Sequence, residues 1–260
     1  MDGPTKTIGA VNISGGAELA TLFFGKVLLL KAIIFDFDGL MIETESAVFQ
    51  AWREIYQHYG YELTFDQWQG AIGTQETTFD PQVDLEKRIG RPLNGDIIGL
   101  DRLAREYELA EQQPILPGVQ KYLDHAQQLG LKLGLASSSY HEWVDYHLKQ
   151  RGLYNYFETI QCADDVPLTK PDPALYLAAV EALGVSPREA FALEDSPPGA
   201  VAARRAGLFC VVVPNALTRQ MTFPTIDLEL PSLEAMPLTE LLAVIQQRQG
   251  TNGKLSHRPG

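Results

Sequence analysis

The sequence predicts an α/β fold: a parallel sheet with helices on both faces and an all-helical cap inserted after its first strand. Helical segments separate short apolar runs along the chain, and this alternation is typical of parallel strands joined by crossover helices. The apolar runs occupy residues 31–35, 131–136, 159–162, 190–193 and 209–213. Over residues 44–113 the apolar side chains instead follow the spacing of amphipathic helices, without a convincing buried strand.

The order of these runs divides the chain into an extension, a two-part core, a cap and a tail. Residues 1–26, rich in Gly, Thr and Ser at their start, are expected to be a disordered extension. The core, with Rossmann-like topology, is expected over 27–43 and 114–248 and ends with a helix over 238–248. The tail, residues 249–260, is expected to be disordered.

The cap is expected over residues 44–113, between the first strand and a boundary marked by Pro114, Pro117 and Gly118. Trp52, Tyr56 and Tyr59 fit one stripe of a helix and are expected to pack inside it. A helical module beside the end of the first strand can act as a lid that excludes water and contacts substrate.

The charge of the chain argues against a nucleic-acid partner. Its 33 acidic and 21 basic side chains give 260 residues a net charge of -12, so a small anionic substrate would need a local cation.

The most apolar stretch, 19–35, contains two lysines and is too short to span a membrane. Cys162 and Cys210 lack a metal-binding spacing and are expected to be reduced, which favours a cytoplasmic protein.

Two aspartates follow the first predicted strand. Asp36 and Asp38 flank Phe37 and precede a glycine turn at Gly39. Because the backbone bends as it leaves the strand, both carboxylates can converge on the crevice at the carboxyl end of the sheet. An aspartate beside a metal ion can attack phosphorus, and a second one two residues on can transfer protons.

Hydroxyl groups follow the second predicted strand, in the run Ser137-Ser138-Ser139. Hydroxyls and backbone amides at the start of a helix suit a phosphate group. Serines at this position are also common helix N-caps, which is the alternative interpretation.

One lysine and two acids complete the set of polar groups. Lys170, held by Pro171 just before a helix, can neutralise an oxyanion or a nucleophilic aspartate. Glu194 and Asp195 end another apolar run and supply the oxygen ligands that Mg²⁺ prefers. An N-cap role for Asp195 is the alternative for this pair.

Together these groups are the parts that metal-assisted phosphoryl transfer through an aspartyl phosphate requires. On them, the chain resembles the haloacid dehalogenase superfamily, in its phosphatase and phosphomutase branch with a helical C1-type cap. The resemblance covers residues 31–248. It rests on the motifs Asp36-Phe37-Asp38-Gly39, Ser137, Lys170 and Glu194-Asp195.

The resemblance implies a Mg²⁺-dependent phosphatase acting on a small phosphorylated metabolite, with a sugar phosphate favoured. It implies that Asp36 is the nucleophile, Asp38 the acid and base, and Lys170 the catalytic cation. Phosphate would be bound by Ser137, Ser138 and Lys170. The implied Mg²⁺ ligands are Asp36, Asp38 through its backbone carbonyl, Asp195, and Glu194 directly or through water.

Two alternatives remain open at this point. In similar β-phosphoglucomutases a histidine lies ten residues after the second aspartate and an arginine lies in the first cap loop, whereas this chain has Val48 and Glu76 there. An acid would repel the second phosphate that a mutase binds, which favours a phosphatase. A non-enzymatic phosphoacceptor receiver also uses aspartates, Mg²⁺ and a lysine, but receivers are shorter and lack the helical insertion.

A few further expectations concern specificity and assembly. Gln75, Glu76 and Thr77, in a polar loop after Gly73, are possible contacts to substrate. The five histidines lack ligand spacing and are expected at the surface. A monomer is natural for a cap that must swing.

Overall fold

Six parallel strands form the centre of the computed structural model, which describes residues 30–73, 78–224 and 226–255. The strands are β1 (Ala32–Phe35), β2 (Lys132–Ala136), β3 (Thr159–Gln161), β4 (Ala190–Glu194), β5 (Phe209–Val212) and β6 (Leu228–Glu229). Their order across the sheet is β3-β2-β1-β4-β5-β6. The predicted α/β class with a Rossmann-like parallel sheet is therefore confirmed.

Nearly all of the sheet follows the predicted runs, with one addition. The edge strand β6 was not predicted, because two residues are too few to show an apolar period. It exists through its pairing with β5, in which Leu228 lies opposite Val211. The predicted extension, residues 1–26, lies outside the described residues.

The helices of the described chain fall into two groups. Those between β1 and β2 are α1 (Thr44–His58), α2 (Phe65–Trp68), α3 (Pro81–Ile89), α4 (Gly95–Glu111) and α5 (Val119–Gln128). Those after β2 are α6 (His141–Gln150), α7 (Ala174–Ala182), α8 (Pro197–Arg205) and α9 (Leu238–Leu255).

Helices cover both faces of the sheet because side chains alternate along each strand. Ile33 and Phe35 of β1 face a core made with α5, α6 and α9. Ala32 and Ile34 face the opposite core, made with α7 and α8. The second face is rich in alanine on both the strands and the helices, which lets these helices pack close to the sheet.

Helices α1 to α4 pack around a separate apolar cluster that includes Trp52, Tyr56 and Trp68. Helix α4 is tied to α1 by the ion pair of Arg105 with Glu54, at 2.9 Å. No strand occurs in the described residues between Thr44 and Glu111. The assignment of residues 44–113 as a cap distinct from the core stays a prediction.

The two chain segments that enter and leave this helical region run side by side. Ile42 forms an antiparallel bridge with Ile115, and the Leu116 N–H donates to the Met41 carbonyl at 2.9 Å. The Arg151 guanidinium, just after α6, donates to the carbonyls of Ala110 and Gln113. These contacts fix where the helical region joins the core.

The C-terminal helix is longer than predicted. Helix α9 continues to Leu255, past the expected end at Arg248, so the beginning of the predicted disordered tail is helical. The run Gln246-Gln247-Arg248-Gln249 consists of good helix formers, but Gly250, Thr251, Asn252 and Gly253 are poor ones, so helix propensity does not account for the continuation to Leu255. Within the described chain, no helix has the length and apolar character needed to cross a membrane.

Candidate active site

The carboxyl ends of β1 and β4 bring the predicted acids together at the centre of the sheet. β1 and β4 pair in register, with Phe35 opposite Leu193, so Asp36 and Glu194 leave the sheet side by side. Connections from β1 and β4 lead to opposite sides of this point, which is where ligand crevices form in open parallel sheets. Asp36, Glu194 and Asp195 each place a carboxylate oxygen within 4.8 Å of the others.

Lys170 joins this cluster as its cation. Its ammonium group contacts Asp36 Oδ1 and lies 2.7 Å from Glu194 Oε1, and the lysine is only 1% exposed. Lys170 lies in the loop before α7 and is followed by a cis peptide bond to Pro171. The structure thus places Lys170 against two of the acids that the sequence singled out.

The cluster carries more negative than positive charge. Burial raises the pKa of Asp36 to about 7, against the pull of Lys170 and with a further rise from Glu194. Burial also raises the pKa of Asp195 well above its usual range, and the neighbouring Asp36 and Glu194 carboxylates add to the effect. Burial alone would lower the pKa of Lys170, but the Asp36 and Glu194 carboxylates raise it, so this side chain keeps its charge.

These residues fit a divalent cation. With all three carboxylates ionised, one ammonium group leaves two negative charges uncompensated in a buried space, which is unfavourable without a cation. Hard carboxylate oxygens close to one another are suitable ligands for a small divalent ion. The buried acidic cluster can therefore bind a metal ion.

Glu194 is held mainly by the protein itself. Its Oε1 accepts from Lys170 and from the Tyr176 hydroxyl at 2.6 Å, and its Oε2 accepts from Ser196 and from the backbone N–H groups of Asp195 and Ser196. A carboxylate offers about four lone-pair positions, so these donors occupy its capacity. This favours an orienting contact to Lys170 over direct metal ligation by Glu194.

In the described chain, the carboxylate of Asp195 accepts a hydrogen bond from Asn215. The Asn215 amide donates to Asp195 Oδ2 at 2.7 Å and to the Gly39 carbonyl at 3.3 Å. Gly39 has a φ of 77°, and a Cβ at this position would lie 2.5 Å from Asp195 Oδ2. The glycine turn after Asp38 is thus needed for both its backbone angle and its contact with Asp195.

Asp38 lies above the cluster and accepts hydrogen bonds from several side chains. Oδ1 accepts from Thr44 at 2.6 Å and from the indole N–H of Trp143 at 2.8 Å. Oδ2 accepts from Ser139 at 2.6 Å and from Ser137 at 3.3 Å. These donors fix the orientation of the carboxylate and link it to the start of α1, to α6 and to the loop after β2.

The two predicted phosphate-binding serines point in different directions. Ser137 is fully buried beside Asp38, and its Oγ also accepts from the Ser139 N–H at 3.0 Å. Ser138 lines the cavity and donates to the Gly73 carbonyl at 3.3 Å, which connects the core to the helical region. Ser137 is therefore the one that stands nearest the carboxylates.

A cavity of about 660 Å³ opens above these groups, between the core and helices α1 to α4. Asp36, Asp38 and Lys170 line its core side, and Trp52 and Trp68 are among the residues that line the opposite side. Its volume is within the range of sites for small molecules. Glu45 lines it too, and burial together with Asp38 and Asp36 raises the pKa of this glutamate to about 8.

Several residues of this site were not predicted from the sequence. Thr44, Trp143, Tyr176 and Asn215 all contact the acids but come from separate parts of the fold. Ser139, which also donates to Asp38, was indicated by the sequence only as a member of the serine run 137–139. Gln75, Glu76 and Thr77 lie outside the described residues, so their contact with substrate stays a prediction.

The expectation that every histidine lies at the surface is wrong for His147. It is fully buried, with Arg151 Nη1 3.1 Å from its Nδ1 and with Phe37 and Tyr107 stacked on its ring. Burial and the nearby Arg151 lower its pKa to about 4, so the ring is neutral. It occupies the buried face of α6, which an isolated histidine in a short helix does not reveal.

A buried acid cluster and a lysine lie beside a cavity at the carboxyl end of the parallel sheet, where ligand sites of open α/β sheets form. A family model for haloacid dehalogenase-like hydrolases matches residues 33–213, and the chain belongs to this family. The resemblance identified from the motifs is confirmed.

Similar proteins narrow the class to phosphatases. The chain is 46% identical to the Bacillus subtilis protein YhcW, named as a candidate phosphatase, over 82% of this chain and 97% of that protein. It is 31% identical to hexitol phosphatase B of Escherichia coli, over 82% of this chain and 97% of that enzyme. The structure of CbbY from Rhodobacter sphaeroides with xylulose-(1,5)bisphosphate has a TM-score of 0.67 and 27% identity, covering 82% and 99% of the two chains. The protein is a phosphatase that acts on a phosphorylated metabolite.

Proposed function

We propose that this phosphatase hydrolyses a sugar phosphate through an aspartyl-phosphate intermediate on Asp36, with Mg²⁺ as its cofactor. The observation that carries the proposal is the position of Asp36. Its carboxylate lies at the floor of the cavity, beside Lys170 and between the other acids of the cluster. An attacking group needs this combination of access, a neighbouring cation and a defined orientation.

In the first step a carboxylate oxygen of Asp36 attacks the substrate phosphorus, and the bond from phosphorus to the leaving alcohol oxygen breaks. Asp38 gives a proton to this alcohol. In the second step Asp38 takes a proton from water as the water oxygen attacks phosphorus, and the bond to Asp36 breaks to release inorganic phosphate. The donors around Asp38 hold it in place for both transfers.

Lys170, Ser137 and Ser138 are proposed to bind the phosphoryl oxygens. Lys170 lies against the attacking carboxylate, where a fixed positive charge stabilises the charge that develops on the transferring group. Asp36, Asp195 and the backbone carbonyl of Asp38 would hold Mg²⁺, with Glu194 orienting Lys170 beside them. When bound, this ion would neutralise phosphoryl charge.

Two observations support hydrolysis over the mutase alternative. Val48 lines the cavity at the position where the similar mutases have a histidine, so it supplies no proton-transfer group. The relatives include enzymes named hexitol phosphatase and phosphorylated carbohydrates phosphatase. These names also support the sugar-phosphate class. A non-enzymatic receiver is excluded, since the chain belongs to a hydrolase family.

A phosphate-release assay over a panel of sugar monophosphates, with MgCl₂ or with EDTA, tests the proposal. We expect hydrolysis of at least one sugar monophosphate that depends on MgCl₂ and is lost in Asp36→Asn. Release of phosphate from p-nitrophenyl phosphate alone would contradict the sugar-phosphate class. Equal rates with EDTA would contradict the metal requirement.

A further inference from the structure

The charged residues that line the cavity are mostly acidic. Five carboxylates, those of Asp36, Asp38, Glu45, Asp80 and Glu106, line it in the part of the chain that the structure describes. The two cations among the described lining residues are Lys170 and Arg102. Residues 74–77, outside the described chain, contain neither lysine nor arginine in their sequence.

Lys170 lies on the core side of the cavity, where its ammonium group contacts Asp36 and Glu194. A substrate with one phosphate can use this lysine. A second phosphate at the far end of the same molecule would need another cation, and Arg102 of α4 is the one that the described lining supplies.

Arg102 is engaged by its own helix. Its guanidinium forms an ion pair with Glu106, one turn further along α4, and lies 5.5 Å from the centroid of the Trp52 ring. Glu106 is only 4% exposed. A buried acid fixed against the arginine cancels its charge toward the cavity, and Trp52 restricts the directions in which the guanidinium can turn.

From this geometry we infer that Glu106 is a specificity-determining residue, which neutralises Arg102 and so excludes substrates that carry a second phosphate. The inference rests on the proposed function and narrows it to sugar monophosphates. CbbY has a similar fold, and its structure holds a bisphosphate. The fold alone therefore does not exclude a second phosphate, and the exclusion is assigned to the side chains of this chain. A second phosphate would meet a neutralised arginine and nearby carboxylates, and like charges held together in a binding site are unfavourable.

The test measures competitive inhibition of p-nitrophenyl phosphate hydrolysis by fructose 6-phosphate and by fructose 1,6-bisphosphate. The quantity of interest is the ratio of the inhibition constants, bisphosphate over monophosphate. We expect a ratio of about ten or more for the natural chain and a fall of about tenfold in Glu106→Gln, because the freed Arg102 can then pair with the second phosphate. A ratio of one or less in the natural chain, or an unchanged ratio in folded Glu106→Gln, overturns the inference.

Two further variants complete the design. Arg102→Met in the Glu106→Gln background should return the ratio to that of the natural chain, because the gain in bisphosphate binding depends on the freed Arg102; a ratio that stays at the Glu106→Gln value would overturn the inference. If Glu106→Gln does not fold, Glu106→Met, an uncharged side chain of similar length, takes its place in both measurements. Glu108→Gln, on the same helix but paired with Arg105 outside the cavity lining, is the matched control and should change neither ratio nor rate. Absence of any phosphomonoester hydrolysis would instead contradict the proposed function.

Discussion

Single hydrogen bonds orient the carboxylate of Asp38, the proposed acid and base. Trp143 donates to this carboxylate from α6 at 2.8 Å, and Thr44 donates from α1 at 2.6 Å. Both donors orient the acid from elements far apart in the chain. Replacing one donor by a side chain of similar shape that cannot donate measures the contribution of that single hydrogen bond to kcat.

Trp143→Phe removes the indole N–H while keeping an aromatic ring in the same place. We expect kcat to fall about tenfold, because Asp38 loses one of the contacts that position it, with a smaller change in KM. Steady-state kinetics with p-nitrophenyl phosphate measure this. The control is Tyr146→Phe, because Tyr146 lies on the same helix as Trp143 but its hydroxyl donates to Glu111. Equal losses of kcat in both variants would contradict the role of Trp143 in positioning Asp38.

His147 makes the stability of the fold depend on pH. Its pKa is lowered from 6.5 to about 4 in the folded state, so the unfolded chain binds a proton first as the pH falls. Its contribution is therefore fully present above pH 6.5 and is lost between there and about 4. The loss is about 3.5 kcal/mol at most, from about 1.4 kcal/mol for each unit of pKa.

Urea unfolding at pH 7 and pH 5 measures this effect. The free energy of unfolding of the natural chain should fall more on acidification than that of His147→Phe, because the variant cannot take up the proton. Other acids titrate over the same range, so the difference between the two proteins is the relevant quantity. An identical pH dependence would show that His147 does not contribute.

At the scale of elements, α8 must approach β4 closely to hold Glu194. A Cβ added at Gly199 of α8 would lie 1.9 Å from the Glu194 carboxylate. This distance excludes any side chain unless the helix or the carboxylate moves. Glu194 in turn holds Lys170 against Asp36, so the packing of one helix is coupled to the reacting groups.

Gly199→Ala is expected to lower kcat at least tenfold and to destabilise the fold by about 1–3 kcal/mol, as overpacking of a buried site does. Phosphate release and thermal unfolding measure the two effects. Gly250→Ala is the matched control, because it makes the same change in helix α9 at a position where an added Cβ meets nothing within 4 Å. Full activity in Gly199→Ala would show that the Glu194 position is not critical.

The elements themselves were predictable where a local pattern determines them. Five strands follow from apolar runs such as Ile33-Ile34-Phe35, and the helical region follows from a stripe that includes Trp52 and Tyr56. The strand β6 was not predictable, since it depends on its pairing with β5. The continuation of α9 to Leu255 was not predictable either, since it runs through the poor helix formers Gly250 and Gly253.

The acids of the site were predictable for a similar reason. Asp36 directly follows β1, and Glu194 and Asp195 stand at the end of β4, so the sequence indicates that these acids share one end of the sheet. Lys170 is indicated instead by its place just before a helix. Tyr176, Asn215 and Trp143 were not predictable, because each reaches the site from a helix or loop whose placement is a tertiary property. The Arg102–Glu106 pair has an ordinary helical spacing, and only the position of α4 over the cavity gives it significance.

At the scale of the whole molecule, a buried excess of negative charge predicts that a divalent ion stabilises the fold. Adding MgCl₂ after EDTA treatment should raise the melting temperature by about 5 °C at saturation, because the ion binds the folded state selectively. Differential scanning fluorimetry measures this shift. Asp195→Asn should reduce it, and Glu108→Gln should not; an equal shift in both variants would place the ion elsewhere.

We propose that Asp36 carries the phosphoryl group between two steps that both depend on Asp38. Rapid-quench kinetics of Asp38→Asn with p-nitrophenyl phosphate tests it most directly, because nitrophenolate leaves without needing a proton, whereas release of phosphate still needs a base. We expect a burst of about one nitrophenolate per protein molecule, with mass spectrometry locating the phosphoryl group on Asp36. Steady release of nitrophenolate without a burst, or a phosphoryl group on another residue, would contradict it.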